Sequence, residues 1–334
     1  MSTTNKLFVS CLFCFVLVLV SGCGGGVPKL TPAEQAEADK YIKEHGKDAI
    51  LDYMSDIYRN RNTNKNTDEK LNIRYVQYFV SKGADVNAKG GHEKVTPLHL
   101  AALFGNVELA KFLLAKGADI NAKTVDGYSP LRLAFPMIGL DDNDINVEFV
   151  KFLVSNGADV YENYGPDKYG PLTFLIHSMT VQGKLDLVQL FVSKGVDVNT
   201  RDVNGATPLH HAAEMGNIDI AKFLISKGAD INAKRGGGVT PLYCAAEKTG
   251  NIEVVQFLVS KGADVNAGDY ATPLFAAADK GDIGVVKFLV SKGADVNVKD
   301  AIIGETPLDK AKRRGNMAIV DYLISVGAKS GKDL

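Results

Sequence analysis

The chain of 334 residues has no tryptophan, four cysteines and no excess of either charge. Thirty-eight Lys and Arg stand against 39 Asp and Glu, a net charge of −1. That balance excludes a strongly basic nucleic-acid binder, whose affinity comes from cations neutralising phosphates. Long apolar runs are also absent. The longest, Leu7 to Val20, is fourteen residues with Ser10 as its polar member, whereas a membrane-spanning helix takes about 20. Catalytic signatures are missing too: there is no G-x-S-x-G, no H-E-x-x-H and no phosphate-cradling P-loop. Cys11 and Cys14 have the spacing of a redox pair, but both lie inside the apolar run. What is present, 46% hydrophobic and 23% charged residues, is the mix of a folded soluble protein.

The apolar run suits a secretory signal. It ends in Leu19-Val20-Ser21-Gly22-Cys23, followed by three glycines. Val20, Ser21, Gly22 and Cys23 resemble the cleavage site of a bacterial lipoprotein, in which the thiol of the final cysteine takes the lipid. Leucine is commoner in that family where Val20 stands. Gly24, not Asp, follows the cysteine; in Gram-negative lipoproteins this implies release to the outer membrane. The resemblance therefore implies residues 1–22 removed, Cys23 acylated, and a Gly-rich linker over 23–30. Maturation would leave Cys244 as the sole unmodified thiol, so no disulfide is expected within one chain. An ordinary cleaved signal or an uncleaved anchor are the alternatives.

From about residue 83 the chain repeats itself. A marker of the form Gly-Ala-Asp-Val/Ile-Asn begins at Gly83, Gly117, Gly157, Gly195, Gly228, Gly262 and Gly293, with a truncated copy at Gly327. A second marker, Thr-Pro-Leu, places prolines at 97, 130, 171, 208, 241, 273 and 307. In Thr96-Pro97-Leu98-His99-Leu100-Ala101-Ala102, Thr96 can cap a helix and Pro97 can take its first position. Gly105 can end that helix in the left-handed conformation. Val107 to Lys116 reads as a second helix, with Val107, Ala110, Leu113 and Leu114 on one apolar stripe. Lys82, Lys116, Lys194, Lys227, Lys261 and Lys292 precede the closing glycines, where a cation complements the helix dipole.

These markers resemble the ankyrin repeat, with its 33-residue period and T-P-L-H-x-A signature, over about residues 68–328. The resemblance implies an all-α solenoid of helix-turn-helix repeats with β-turn fingers, capped at both ends. Seven repeats are expected over 88–328 and a tail over 329–334. Residues 31–87 read as an amino-terminal cap holding one degenerate repeat. Thr31-Pro32-Ala33-Glu34 is a capping box, opening a helix that stops near Gly46. A second helix is expected over about 48–59, and Thr67 caps a third through Lys82. At the other end, Asp309, Lys310 and Lys312 replace the usual His, Leu and Ala, which makes the last unit a polar lid.

Two repeats depart from the pattern. The second carries about seven extra residues around 136–144. Its Asp142-Asn143-Asp144 run lacks the glycine and closing glutamate of a calcium loop. The third has Gly170 in place of the capping Thr and about four extra residues before Lys184. His99 and His210 occupy the repeat's own histidine position, where the family uses the imidazole to tie neighbouring loops together. His210 and His211 are adjacent on a helix and diverge by about 100°, poor geometry for a metal. Neither a metal, a cofactor nor a small-molecule substrate is expected; an enzyme reading would have to rest on the irregular segment 136–184.

A binding surface remains. In ankyrin proteins the loop tips and the concave face of the first helices hold partners. Two residues before each repeat proline stand Val95, Tyr128, Tyr169, Ala206, Val239, Ala271 and Glu305. Six and seven residues after it come Leu103/Phe104, Pro136/Met137, His177/Ser178, Glu214/Met215, Glu247/Lys248, Asp279/Lys280 and Arg313/Arg314. The amino-terminal half is apolar and aromatic, with Tyr161 and Tyr164 also on the third loop; the carboxy-terminal half is charged. Exposed Tyr and Met are common interface anchors. The expected partner-binding set is Tyr128, Tyr169, Tyr164, Tyr161, Leu103, Phe104, Met137 and Met215, although Phe104 and Met215 could instead pack on the next repeat. The expected function is non-catalytic: a lipid-anchored scaffold that binds another protein at the bacterial envelope, on the periplasmic side of the outer membrane. An immunity protein that blocks a toxin, an accessory factor for a periplasmic enzyme, and a secreted host-facing effector are the alternatives.

Overall fold

The computed structural model describes residues 30–63, 73–135, 147–161, 184–248 and 252–334. The chain divides into two compact units, the first comprising residues up to Phe135 with Ser155–Ala158, the second the remainder. Among the expected features, Cys23, Thr67, the insertion at 136–144 and the first helix of the third repeat lie outside the described residues. Among the described residues no helix is long and apolar enough to cross a membrane.

The first unit opens with α1 (Pro32–His45), a 3-10 turn and α2 (Ala49–Thr63). Thr31 and Glu34 form the expected capping box. The third helix, α3 (Ile73–Ser81), packs on both. Tyr41, Tyr53, Tyr75 and Phe79 meet in one aromatic cluster, with ring centroids 5.5 to 6.2 Å apart. Buried phenols need partners: Tyr41 donates to Asp56 at 3.1 Å and Tyr75 to Glu37 at 3.0 Å. On this base sit α4 (Pro97–Phe104) and α5 (Val107–Ala115), then the short α6 (Pro130–Leu133). α2 packs on α4, and α4 on α6.

In the second unit α7 (Val147–Ser155) and α8 (Lys184–Ser193) precede four helix pairs. These are α9 (Pro208–Glu214) with α10 (Ile218–Ser226), α11 (Pro241–Ala246) with α12 (Ile252–Ser260), α13 (Pro273–Lys280) with α14 (Ile283–Ser291), and α15 (Pro307–Arg314) with α16 (Met317–Ser325). First helices pack on first helices and second on second. Each pair alone would leave one face of Leu, Val and Ala in water, so the core is the sum of the contacts between neighbours.

Local chemistry explains why every pair looks alike. Thr96, Thr240, Thr272 and Thr306 each accept the backbone N–H three residues on, and proline follows at the first helical position. Asn106, Asn217 and Asp282 cap the second helices in the same manner. The glycine after each second helix has φ between +86° and +95° at 83, 117, 157, 195, 228, 262, 293 and 327, a region costly for any residue with a Cβ. The lysines before these glycines do more than face the dipole. Lys116, Lys227, Lys261 and Lys292 fold over the phenylalanine four residues earlier, 5.6 to 6.0 Å from its centroid.

Repeats are clasped to one another by an asparagine. The Asn199 amide donates to the Gly228 carbonyl at 3.0 Å, and its oxygen accepts the Asp230 N–H at 2.8 Å. Asn87, Asn232 and Asn266 make the same pair of bonds to the following repeat. Two junctions differ from the expected marker: Val196 stands in the alanine place after Gly195, and at Gly157 the fifth residue is Tyr161. Its hydroxyl donates to the Lys194 carbonyl at 2.6 Å, a single bond in place of two.

The carboxy-terminal lid is only partly polar. Asp309, in the histidine position, accepts hydrogen bonds from Ser330 Oγ at 2.6 Å and the Gly331 N–H at 2.7 Å. Lys329 completes the layer by donating its N–H to Asn297 at 2.8 Å. Residues 329–331 are therefore part of the last repeat's packing. Burial disfavours the Asp309 carboxylate, but bonds from Ser330, Gly331 and Thr306 outweigh it and hold the carboxyl down at about 2. On α16, Met317 and Ile324 are exposed.

Asn232→Ala removes both bonds of one clasp. The expected loss is about 1–2 kcal/mol, read from the denaturant midpoint; an unshifted midpoint would show that the clasp contributes nothing to stability.

Candidate functional site

The side chains expected to hold a partner depend on the loops that carry them, and those loops are built around buried histidines. In the first unit the His99 Nδ1 accepts from the Thr96 N–H at 3.2 Å and lies 2.7 Å from the Thr96 hydroxyl. Its Nε2–H donates to the Tyr128 carbonyl, 2.9 Å away. That carbonyl also closes the loop by accepting the Thr124 N–H at 3.0 Å. His99 thus grips the next repeat at the residue expected to be its aromatic anchor. The imidazole ties two neighbouring loops together, as the family resemblance implies.

Tyr128 is half-buried, its ring 5.2 Å from the Arg132 guanidinium carbon. Arg132 stands where His99 and His210 stand in their repeats, and it is buried. Leu103 and Phe104, on the last turn of α4, are half-buried. For Phe104 this lies between the two alternatives, since the ring is neither free nor fully covered. Val95, two residues before Pro97, is half-buried as well and pairs with Gly90 across its loop.

In the second unit the same clasp recurs. The His210 Nδ1 accepts from the Thr207 N–H at 3.1 Å, and Nε2 donates to the Val239 carbonyl at 3.0 Å. His211 points elsewhere, as its position on the helix requires, and its Nε2 meets the buried Asp202 carboxylate at 3.1 Å. Met215, at the end of α9, is 44% exposed. Tyr161 is exposed in its ring while its hydroxyl is committed to the Lys194 carbonyl. Tyr164, Tyr169 and Met137 lie outside the described residues.

The charged positions of the second unit are largely paired between neighbouring repeats. Glu214 meets Lys248 at 3.5 Å, and Asp279 takes Arg314 through two bonds of 2.7 and 3.2 Å plus Lys310 at 3.1 Å. Burial opposes the Asp279 carboxylate, and those two cations more than offset it, keeping the carboxyl below its ordinary range. Cys244 is buried within α11, and burial pushes its thiol up to about 12. A thiol held protonated at neutral pH is no nucleophile, in accord with its reading as a small core residue.

Burial also keeps both clasping histidines neutral. His210 is lowered to about 4 by desolvation, against the bond to Val239, and His99 shifts in the same direction for the same reason. In the unfolded chain these groups protonate near pH 6.5, so between there and about pH 4 the unfolded state binds more protons. Stability is full above the unfolded value and falls as the pH drops through that window. For His210 the loss approaches about 3 kcal/mol. Denaturant unfolding between about pH 7 and about pH 4.5 should show this slope, and His210→Asn should flatten it.

A family model described as ankyrin repeats in three copies matches residues 69–164, 143–235, 175–269, 234–300 and 268–333 of the chain. No curated protein matches it.

Proposed function

The chain belongs to the ankyrin-repeat family, whose modules bind other proteins, and from this we propose a non-catalytic scaffold that holds a partner protein at a bacterial envelope. The observation that carries the reading is Tyr128. Its ring is packed by Arg132 and its backbone is gripped by His99 at 2.9 Å, so little ordering entropy is lost on docking. Leu103 and Phe104 belong to the same unit, while Tyr161 and Met215 offer exposed apolar area in the other. Tyr169, Tyr164 and Met137 join the proposed contact set on their sequence positions alone.

Tyr128→Ala/Tyr169→Ala keeps the carbonyl that His99 holds, so the loop survives the change. Binding to the partner captured from envelope extract is expected to weaken by at least about thirtyfold, since aromatic anchors each contribute about 1–2 kcal/mol or more. Wild-type affinity in this variant would remove the proposal. Whether capture blocks the partner's activity separates an immunity protein from an accessory scaffold.

The tether is proposed from Val20-Ser21-Gly22-Cys23. Two or more acyl chains give stable anchoring where one gives marginal binding. Metabolic palmitate labelling should mark the wild-type chain and vanish in Cys23→Ser. Persistent labelling would place the lipid elsewhere, and release of the unlabelled wild-type protein into the medium would favour the secreted effector.

A further inference from the structure

In the second unit the charged side chains are sorted by layer. On the first helices α9, α11, α13 and α15, with the two residues that follow each, the exposed charged side chains are Lys248, Lys280, Lys312, Arg313 and Arg314. The carboxylates of the same stretches, Glu214, Glu247, Asp279, Asp282 and Asp309, are half-buried. Where a pair forms with an exposed cation, the cation is the outer member. Lys248 is 48% exposed against 24% for Glu214, Arg314 50% against 17% for Asp279, and Arg313 49% against 22% for Glu305. Lys310 is held beneath, 3.1 Å from Asp279. Lys280 and Lys312 stand outside these pairs. The exposed carboxylates of this unit belong to other elements. They include Asp219, Glu253 and Asp321 on the second helices and Asp197, Asp230, Asp264 and Asp295 on the loops after second helices. First helices pack on first helices, so the surface of their layer is positive although the chain has a net charge of −1.

The cations also have a register. Lys248, Lys280 and Arg314 each stand seven residues after the repeat proline, one per repeat. Packed helices lie about 8–10 Å apart. A polypeptide in the polyproline II conformation turns once in three residues and rises about 9 Å in doing so, which sets every third side chain on one side at the same interval. A β-strand would send alternate members of that series to opposite faces. A nucleic-acid strand fits less well. It carries a phosphate at every nucleotide, and Glu214, Asp279 and Glu305 beneath the cations would repel those that fall between them.

We propose that Lys248, Lys280, Lys312 and Arg314 form a docking face for an extended acidic polypeptide segment with a carboxylate at every third residue. This rests on the protein-binding role proposed above and names the chemistry of the partner at the second unit. The inner carboxylates hold the cations in place before docking, so little side-chain entropy is lost. Arg314 gives Nε and Nη2 to Asp279, and the rest of its fork of N–H donors serves a second carboxylate.

The test titrates a fluorescein-labelled Glu-Pro-Pro repeat peptide with the full chain and reads anisotropy at low ionic strength. Binding is expected, and added salt should weaken it. A Glu-Pro repeat with the same number of glutamates turns them to different sides and should bind at least about fivefold more weakly. A Lys-Pro-Pro repeat should not bind. Lys280→Gln/Lys312→Gln leaves the Glu214–Lys248 and Asp279–Arg314 pairs intact and should weaken the Glu-Pro-Pro complex about fivefold, with an unchanged denaturant midpoint. Equal affinity for the two glutamate peptides, or wild-type affinity in the double variant, overturns the docking face. Tighter binding of a single-stranded oligonucleotide than of the Glu-Pro-Pro peptide overturns it in favour of nucleic acid. Failure with both peptides, while envelope capture still depends on Tyr128, overturns this face and leaves the scaffold standing. Peptide binding by a chain that captures no envelope protein supports the face and removes the scaffold reading.

Discussion

Each second helix closes on a glycine just beyond its end whose carbonyl has no partner within the helix, and the preceding repeat supplies one. An asparagine carboxamide is the smallest side chain that can donate and accept in one plane. At Asn199, Asn232 and Asn266 it satisfies the carbonyl of the closing glycine and the N–H of the aspartate two residues later. The glycine must adopt φ near +90° to present that carbonyl. The two residue types are thus coupled across 27 to 30 positions of sequence. Everything downstream, from the stacking of helices to the placing of the loops, depends on this register between neighbours.

The histidine clasp is the second tier of the same logic. Thr96 and Thr207 set the tautomer of His99 and His210 by donating to Nδ1, which leaves Nε2–H to hold the next loop. Where the histidine is replaced, the replacement shows what the position does. Asp309 has no N–H to offer onward, so it accepts from Ser330 and Gly331 and draws the following segment in instead. A position that passes a hydrogen bond forward in the middle of the stack closes it at the end. The result is a set of loops held rigid by buried polar contacts, and rigidity is what a binding surface gains from them.

Much of the first-order picture was legible in residues. Thr96-Pro97 announced a capped helix because proline loses nothing at the first helical position, and the glycines announced left-handed turns because other residues resist them. The ionic character of the later repeats could be read from Glu214, Lys248, Asp279 and Arg314. Less legible was Tyr161, which sits in the asparagine place of the marker and bonds Lys194 with its hydroxyl. A phenol reaches the neighbouring carbonyl by length, and no local pattern says so. The caps at Asn106, Asn217 and Asp282 were there to be read, each directly before the first apolar residue of its helix, but the stronger Thr-Pro signal masked them.

The repeat markers by themselves pointed to the family and its all-α class through resemblance, and capping chemistry determined where helices begin and end, since that follows from backbone rules acting within a few residues. Tertiary structure alone decided which charged side chains stand outermost. Lys248 and Arg314 are the outer members of their pairs with Glu214 and Asp279 of the preceding repeat. It also decided that Asp202 and Asp300 turn inward to meet backbone N–H groups. Both outcomes are non-local: they depend on what a neighbouring repeat puts within hydrogen-bonding distance.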